Sequence, residues 1–174
     1  MTGVIADIHD GVAYLFADGM VTQDGYVHTH SFSKIRKLGE NSWVAITGDL
    51  GALEEFIRMH ESYAEEELLV KLKEARLDAT LIIMTKEGFT TLDFSHDKET
   101  RIPENETVRY PFSACPLFFG SGTEPMSGAY EALDVKRAVT KGGYLKRIRS
   151  VFRAASKRVT SMGALYQTEA LELN

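Results

Sequence analysis

Thr2 can do chemistry by itself if Met1 is trimmed, as is normal before a small residue. A threonine with a free α-amine holds nucleophile and base in one residue: the hydroxyl attacks and the amine takes its proton. Such an amine has a pKa of about 7.7–8.0, close to working pH. Asp18 is a carboxylate directly after the apolar run Val12 to Ala17. Lys34 lies between Phe32 and Ile35, and a lysine held beside a carboxylate stays charged and lowers the proton affinity of a nearby amine or hydroxyl. Two glycine turns, Thr47-Gly48-Asp49 and Gly120-Ser121-Gly122-Thr123, each join an apolar run to a helical one. Backbone N–H groups at such junctions can face a developing negative charge.

Each of these residues also has an ordinary reading. Thr2 can be a frayed terminus, Asp18 a turn residue before Gly19, and Lys34 a surface lysine in its basic cluster. A phosphate site rivals the charge-stabilising reading of the glycine turns. Gly120-Ser121-Gly122 lacks the further glycines of a dinucleotide fingerprint and the Gly-Lys of a P-loop, however. His28 and His30 share a strand face without a cysteine or acidic ligand at usable spacing, so they read as a solvent-facing pair. No metal or cofactor is expected.

Alternation and turn residues place these groups. Val4 to Ile8 and Val12 to Ala17 read as a hairpin closed by Asp10-Gly11. Gln23 to Gly25 reads as a turn, and Val27 to Phe32 and Lys34 to Leu38 as extended pieces. Ser42 to Thr47 is a continuous apolar run of the kind a doubly buried strand shows. Asp49 is placed to cap one long helix carrying Leu50, Leu53, Ile57, Ala64, Leu68 and Leu72, ending at Arg76 to Asp78. Ala79 to Thr85 and Phe89 to Phe94 form a second hairpin, and Asp97 to Glu106 reads as a loop. Thr107 to Phe112 and Leu117 to Phe119 read as strands, Pro125 to Asp134 as a helix, Gly142-Gly143 as an interruption, Tyr144 to Arg158 as a helix and Met162 to Gln167 as a last strand. Strands and helices do not alternate singly, so the class is α+β, with two antiparallel sheets between helix layers.

Composition agrees with a globular chain. At 174 residues it is expected to be one domain, residues 1–174, able to bury a sizeable core. Hydrophobic residues are 44% and charged residues 26%, which excludes disorder and low complexity. Apolar runs such as Thr80 to Met84 fall far short of the roughly 20 residues of a membrane span. The start lacks the basic and long apolar stretches of a secretion signal, and a single cysteine, Cys115, allows no internal disulfide. The expected compartment is the cytoplasm. A net charge of −5 argues against nucleic acid, whose phosphates call for a basic footprint. The basic run from Lys136 to Arg158 reads as a solvated helix face, with partner docking as its rival.

Taken in register, Thr2, Ala17-Asp18-Gly19, Lys34-Ile35-Arg36-Lys37-Leu38, the buried strand into Gly48, and Phe119-Gly120-Ser121-Gly122 resemble the proteasome β-type peptidases. Within that family the bacterial HslV-like peptidases look most similar. The resemblance implies an N-terminal-nucleophile hydrolase with a four-layer αββα sandwich. It implies Thr2 as nucleophile with its amine as base, Lys34 tuning that site, Asp18 orienting Lys34, the Gly48 N–H as oxyanion donor and Ser121 supporting the terminal amine. It implies an apolar substrate pocket walled by Val21, Phe32, Ile46 and Leu50. It also implies polypeptide substrates, a homo-oligomeric double ring of twelve subunits and an AAA+ ATPase unfoldase as partner. A retained Met1 would favour the alternative, a catalytically silent ring-forming scaffold.

Overall fold

A computed structural model describes residues 2–23, 26–75, 78–96, 103–160, 162–164 and 166–173. Met1, the expected turn at Asp24-Gly25, the expected helix end at Arg76 and the first part of the expected loop from Asp97 lie outside the described residues. In chain order the strands are β1 (Gly3–His9), β2 (Val12–Asp18), β3 (Val21–Gln23), β4 (Tyr26–Thr29), β5 (Ile35–Gly39) and β6 (Ser42–Gly48). Helices α1 (Gly51–Ser62) and α2 (Glu65–Glu74) follow, then β7 (Ala79–Thr85), β8 (Gly88–His96), β9 (Pro103–Tyr110) and β10 (Leu117–Gly120). Helices α3 (Thr123–Ala132) and α4 (Lys141–Ser156) precede the last strand, β11 (Tyr166–Glu172). Among the described residues no helix is long and apolar enough to cross a membrane.

Two antiparallel sheets form, ordered β10-β1-β2-β11 and β5-β6-β7-β8-β9, with β3 and β4 as a separate ribbon. Period-two alternation explains the layers. Val4 and Ala6 of β1 join Leu15, Ala45, Ile82 and Leu171 in the core between the sheets. Ile5, Tyr14 and Phe16 face the other way, against Met126 and Tyr130 of α3 and Ile148, Val151 and Phe152 of α4. Val44, Ile46, Leu81 and Leu92 form the outer face of the second sheet, against Leu53, Phe56 and Met59 of α1 and Leu68 and Leu72 of α2. Three cores separate four layers, in the order α, β, β, α. The β1–β2 turn is Asp10-Gly11, both at positive φ, 51° and 71°. That is the backbone hand a two-residue hairpin loop requires.

Several boundaries differ from the sequence expectation. The long helix is two helices, because the chain is extended at Tyr63 and Ala64. Continuing the stripe of Ala52, Leu53, Phe56 and Met59 would turn Glu66 and Glu67 to the core, and the break lets Leu68 and Leu72 take that face instead. Asp49 is not the capping residue itself, yet its Oδ1 accepts the Gly51 N–H at 2.9 Å. Gly142-Gly143 lies inside the first turn of α4, where Gly143 N donates to Oγ1 of the capping Thr140 at 3.1 Å. The expected loop to Glu106 gives way to β9 from Pro103, which pairs along β8. The last strand starts at Tyr166 rather than Met162. Met162 instead packs into the core under α4, and Leu171 takes the inward strand position.

Candidate active site

Strand pairing brings Thr2, Asp18 and Lys34 together. Thr2 immediately precedes β1, and Val4 pairs with Ala17, which sets Asp18 at the end of β2 beside it. Lys34 comes from the irregular strap just before β5. All three are buried: Thr2 is 3% exposed, Asp18 0% and Lys34 1%. Lys34 Nζ donates to Thr2 Oγ1 at 3.0 Å, to Asp18 Oδ1 at 3.1 Å and to the Met20 carbonyl at 2.6 Å. An ammonium has three N–H donors, and each has a partner here.

Asp18 is equally saturated. Its Oδ1 also accepts the Gly3 N–H at 2.8 Å, and its Oδ2 accepts Met20 N at 3.0 Å and Gly163 N at 3.0 Å. Burial pushes the Lys34 ammonium below the usual lysine range, while the charge of and hydrogen bond to Asp18 pull it back up. The carboxylate thus offsets part of the burial penalty on the cation. A cation donating to the threonine hydroxyl favours its alkoxide over its alcohol.

The site opens into a cavity of about 410 Å³ lined by Thr2, Met20, Val21, Thr22, Lys34, Gly48, Asp49 and Leu50. Gly48 ends β6 with φ of 101°, and a Cβ there would meet the Asp78 carbonyl at 2.6 Å and Ala79 Cα at 2.8 Å. Only glycine fits that backbone and that approach. Of the four residues expected to wall a substrate pocket, Val21 and Leu50 line this cavity. Ile46 does not: strand alternation turns it outward to the α1 core, where it is fully buried. Phe32 does not line it either, and its ring lies under the Arg36 guanidinium, 5.7 Å away. Ser121 is exposed on the turn after β10, whose Gly120 pairs with Gly3 beside Thr2.

Three contributors carried no motif. The Met20 carbonyl and the Gly163 N–H are backbone groups, which leave no residue-type signal. Gln167 ended the expected strand from Met162, and nothing in its type or spacing marked a role. Its Oε1 accepts Lys34 N at 2.7 Å and Ile35 N at 3.3 Å, and its Nε2 donates to the Phe32 carbonyl at 2.7 Å. His28 is exposed on the β3–β4 ribbon. Among the described residues no three His, Cys, Asp or Glu side chains gather to hold a metal.

The comparisons agree with this architecture. Among solved structures the chain is similar to BPH of Thiobacillus denitrificans in complex with epoxomicin, with a TM-score of 0.76, 19% identity, and 99% of this chain and 100% of that one covered. A second BPH structure gives a TM-score of 0.70 at 20% identity, with 99% of each chain covered. Eukaryotic HslV from Trypanosoma brucei gives a TM-score of 0.69 at 19% identity, covering 98% of this chain and 99% of that chain. At such identities the likeness is one of fold. No curated protein sequence matches. The family profile described as proteasome subunit matches residues 2–91, more than half of the 174 residues and the stretch that carries Thr2, Asp18, Lys34 and Gly48. On that match, the chain belongs to the proteasome subunit family.

Proposed function

We propose that this chain is a threonine peptidase whose nucleophile is Thr2, made competent by removal of Met1. The carrying observation is the 3.0 Å contact between Lys34 Nζ and Thr2 Oγ1, anchored by a buried Asp18. In the reading, Oγ1 attacks the scissile carbonyl carbon while the Thr2 α-amine takes the hydroxyl proton. Negative charge moves to the carbonyl oxygen, where the Gly48 N–H at the cavity wall would donate to it. The C–N bond then breaks, the amine returns its proton to the leaving nitrogen, and an ester on Thr2 remains. Water activated by the same amine hydrolyses that ester and restores the hydroxyl. Lys34 supplies a fixed positive charge throughout, and Ser121, next to the Gly120 that pairs with Gly3, is assigned the support of the terminal amine.

The same reading takes residues 1–174 as one peptidase domain acting on unfolded polypeptides in the cytoplasm. The subunits form two stacked rings of six, and an AAA+ unfoldase feeds the chamber. Cyclic closure repeats one interface, so native mass spectrometry should find about twelve subunits. A monomer at micromolar concentration would contradict the ring.

The deciding experiment compares wild type and Thr2→Ala on a fluorogenic peptide. Intact mass first confirms that Met1 is gone. Cleavage by wild type and none by an equally assembled Thr2→Ala supports the reading. Comparable turnover by the variant overturns it.

A further inference from the structure

Lys34 does not belong to a regular strand. Residues 31–34 form an irregular strap between β4 and β5, and a strap without a ladder must find other partners for its backbone. Phe32 N donates to the Gly19 carbonyl at 2.9 Å, and the Lys34 carbonyl accepts Ile46 N at 3.2 Å. Ser31 N donates to Thr29 Oγ1 at 3.2 Å and the Ser33 carbonyl accepts from the Arg36 guanidinium, while three further groups go to one side chain. Gln167 Oε1 takes Lys34 N and Ile35 N, and Gln167 Nε2 takes the Phe32 carbonyl. A primary amide has the donor and acceptor of a peptide unit, so Gln167 stands in for the missing neighbouring strand.

The location of that amide matters as much as its bonds. Gln167 pairs through its backbone with Ala17, the residue before Asp18. One strand pair therefore grips Lys34 at both ends. Asp18 of β2 holds the ammonium, and Gln167 of β11 holds the main chain from which the side chain springs. If only the ammonium were held, the long lysine stem could reach Asp18 from many backbone positions. With the main chain also held, Nζ is confined to the point where it meets Thr2 Oγ1.

Resting on the threonine-peptidase reading, we infer that Gln167 is a positioning residue for that reaction, acting through the backbone of Lys34 to aim its ammonium at Thr2. It touches neither substrate nor nucleophile. Gln167→Leu keeps the bulk and removes all three hydrogen bonds. A misplacement of about 1 Å in such a group can lower turnover about a hundredfold. The expected result is a kcat at least about tenfold lower with KM within about twofold. The acid limb of the kcat/KM profile should also move to higher pH, by roughly half a unit, because a retreating cation no longer opposes protonation of the Thr2 amine.

The test uses assembled, processed protein and adds amide hydrogen exchange at Lys34 and Ile35. A filler of space would change melting temperature and leave the acid limb where it was. Wild-type kcat and an unmoved limb in Gln167→Leu overturn the inference while the peptidase reading stands. If processed wild type cleaves nothing, the peptidase reading falls, and the reaction-positioning role of Gln167 falls with it. Exchange then shows separately whether the clamp itself is real: loss of protection at Lys34 and Ile35 supports it, and unchanged protection refutes it.

Discussion

Gly163 donates its backbone N–H to Asp18 Oδ2 at 3.0 Å, joining two residues 145 positions apart. The other oxygen of the same carboxylate takes Gly3 N and Lys34 Nζ. Asp18 is therefore both the counter-charge of Lys34 and the knot that ties the start of β1, the end of β2 and the segment before β11. Under the proposed function, a change at this residue should affect activity and stability together.

Replacing Asp18 by Asn keeps the shape and removes the charge. Lys34 would then be a buried cation without a counter-ion, and breaking a buried pair costs about 3–5 kcal/mol. The expected outcome is a much lower urea midpoint for Asp18→Asn and peptide cleavage reduced at least about a hundredfold. Urea unfolding and steady-state kinetics on the same preparation check both, and a wild-type midpoint would mean that the pair does not carry the charge balance described.

Gly48→Ala adds one methyl group where no space exists. The left-handed φ of 101° and the 2.6 Å approach to the Asp78 carbonyl both oppose it. Strain of this kind costs about 1–3 kcal/mol. Because the same backbone lines the cavity beside Thr2, activity should fall further than stability. Thermal unfolding and kcat measured side by side reveal the difference.

Asp7 predicts a pH dependence. It is buried on the α-helical side of β1, and its Oδ2 accepts Tyr130 Oη at 2.6 Å and Tyr144 Oη at 2.9 Å. Burial raises its pKa above the ordinary value of 3.8, outweighing the tyrosine and Ile8 N–H hydrogen bonds and the more distant Lys136 charge. A group whose folded pKa is raised contributes its stability fully below the unfolded pKa and loses it as pH rises through the folded value. Wild type should therefore lose stability relative to Asp7→Asn as pH rises above about 4. Urea midpoints of both proteins at several pH values test this, since titrations shared by the two cancel. A constant gap would show that Asp7 is not perturbed.

Substrate preference follows from the cavity wall. Met20, Val21 and Leu50 offer apolar surface beside Thr2. Apolar burial contributes roughly 25 cal/mol per Å². A peptide library should be cut after apolar residues, and Leu50→Ala should lower kcat/KM for those peptides by about tenfold. Cleavage mainly after acidic or basic residues would contradict this.

The order of strands and helices was legible because apolar alternation and turn residues are local signals. The Asp10-Gly11 hairpin and the doubly buried run into Gly48 are examples. The break at Tyr63-Ala64 was not legible, because it depends on which side of α2 meets the second sheet. The start of β11 was misplaced because Met162 is apolar for a different purpose. Met162 and Met126 together fill the space over Gly3, where a Cβ would lie 2.7 Å from Met162 Cε. For the candidate site, residue type pointed to Thr2, Asp18, Lys34 and Gly48. The supporting backbone groups and Gln167 needed the folded chain. Ile46 was misassigned because alternation within β6 decides its face, and a continuous apolar run hides that alternation.

The dependence of Asp18 and Lys34 on Gly163 and Gln167 has a consequence for synthesis. A ribosome makes Thr2 long before it makes Gln167, 165 positions later. While residues 163–167 remain in the exit tunnel, Asp18 lacks one of its four donors and the strap carrying Lys34 lacks its clamp. Contacts of such long sequence separation also form slowly. A nascent subunit thus holds its threonine long before it holds the arrangement around it, and any hydrolytic power conferred by that arrangement is deferred until residues 163–167 have left the ribosome.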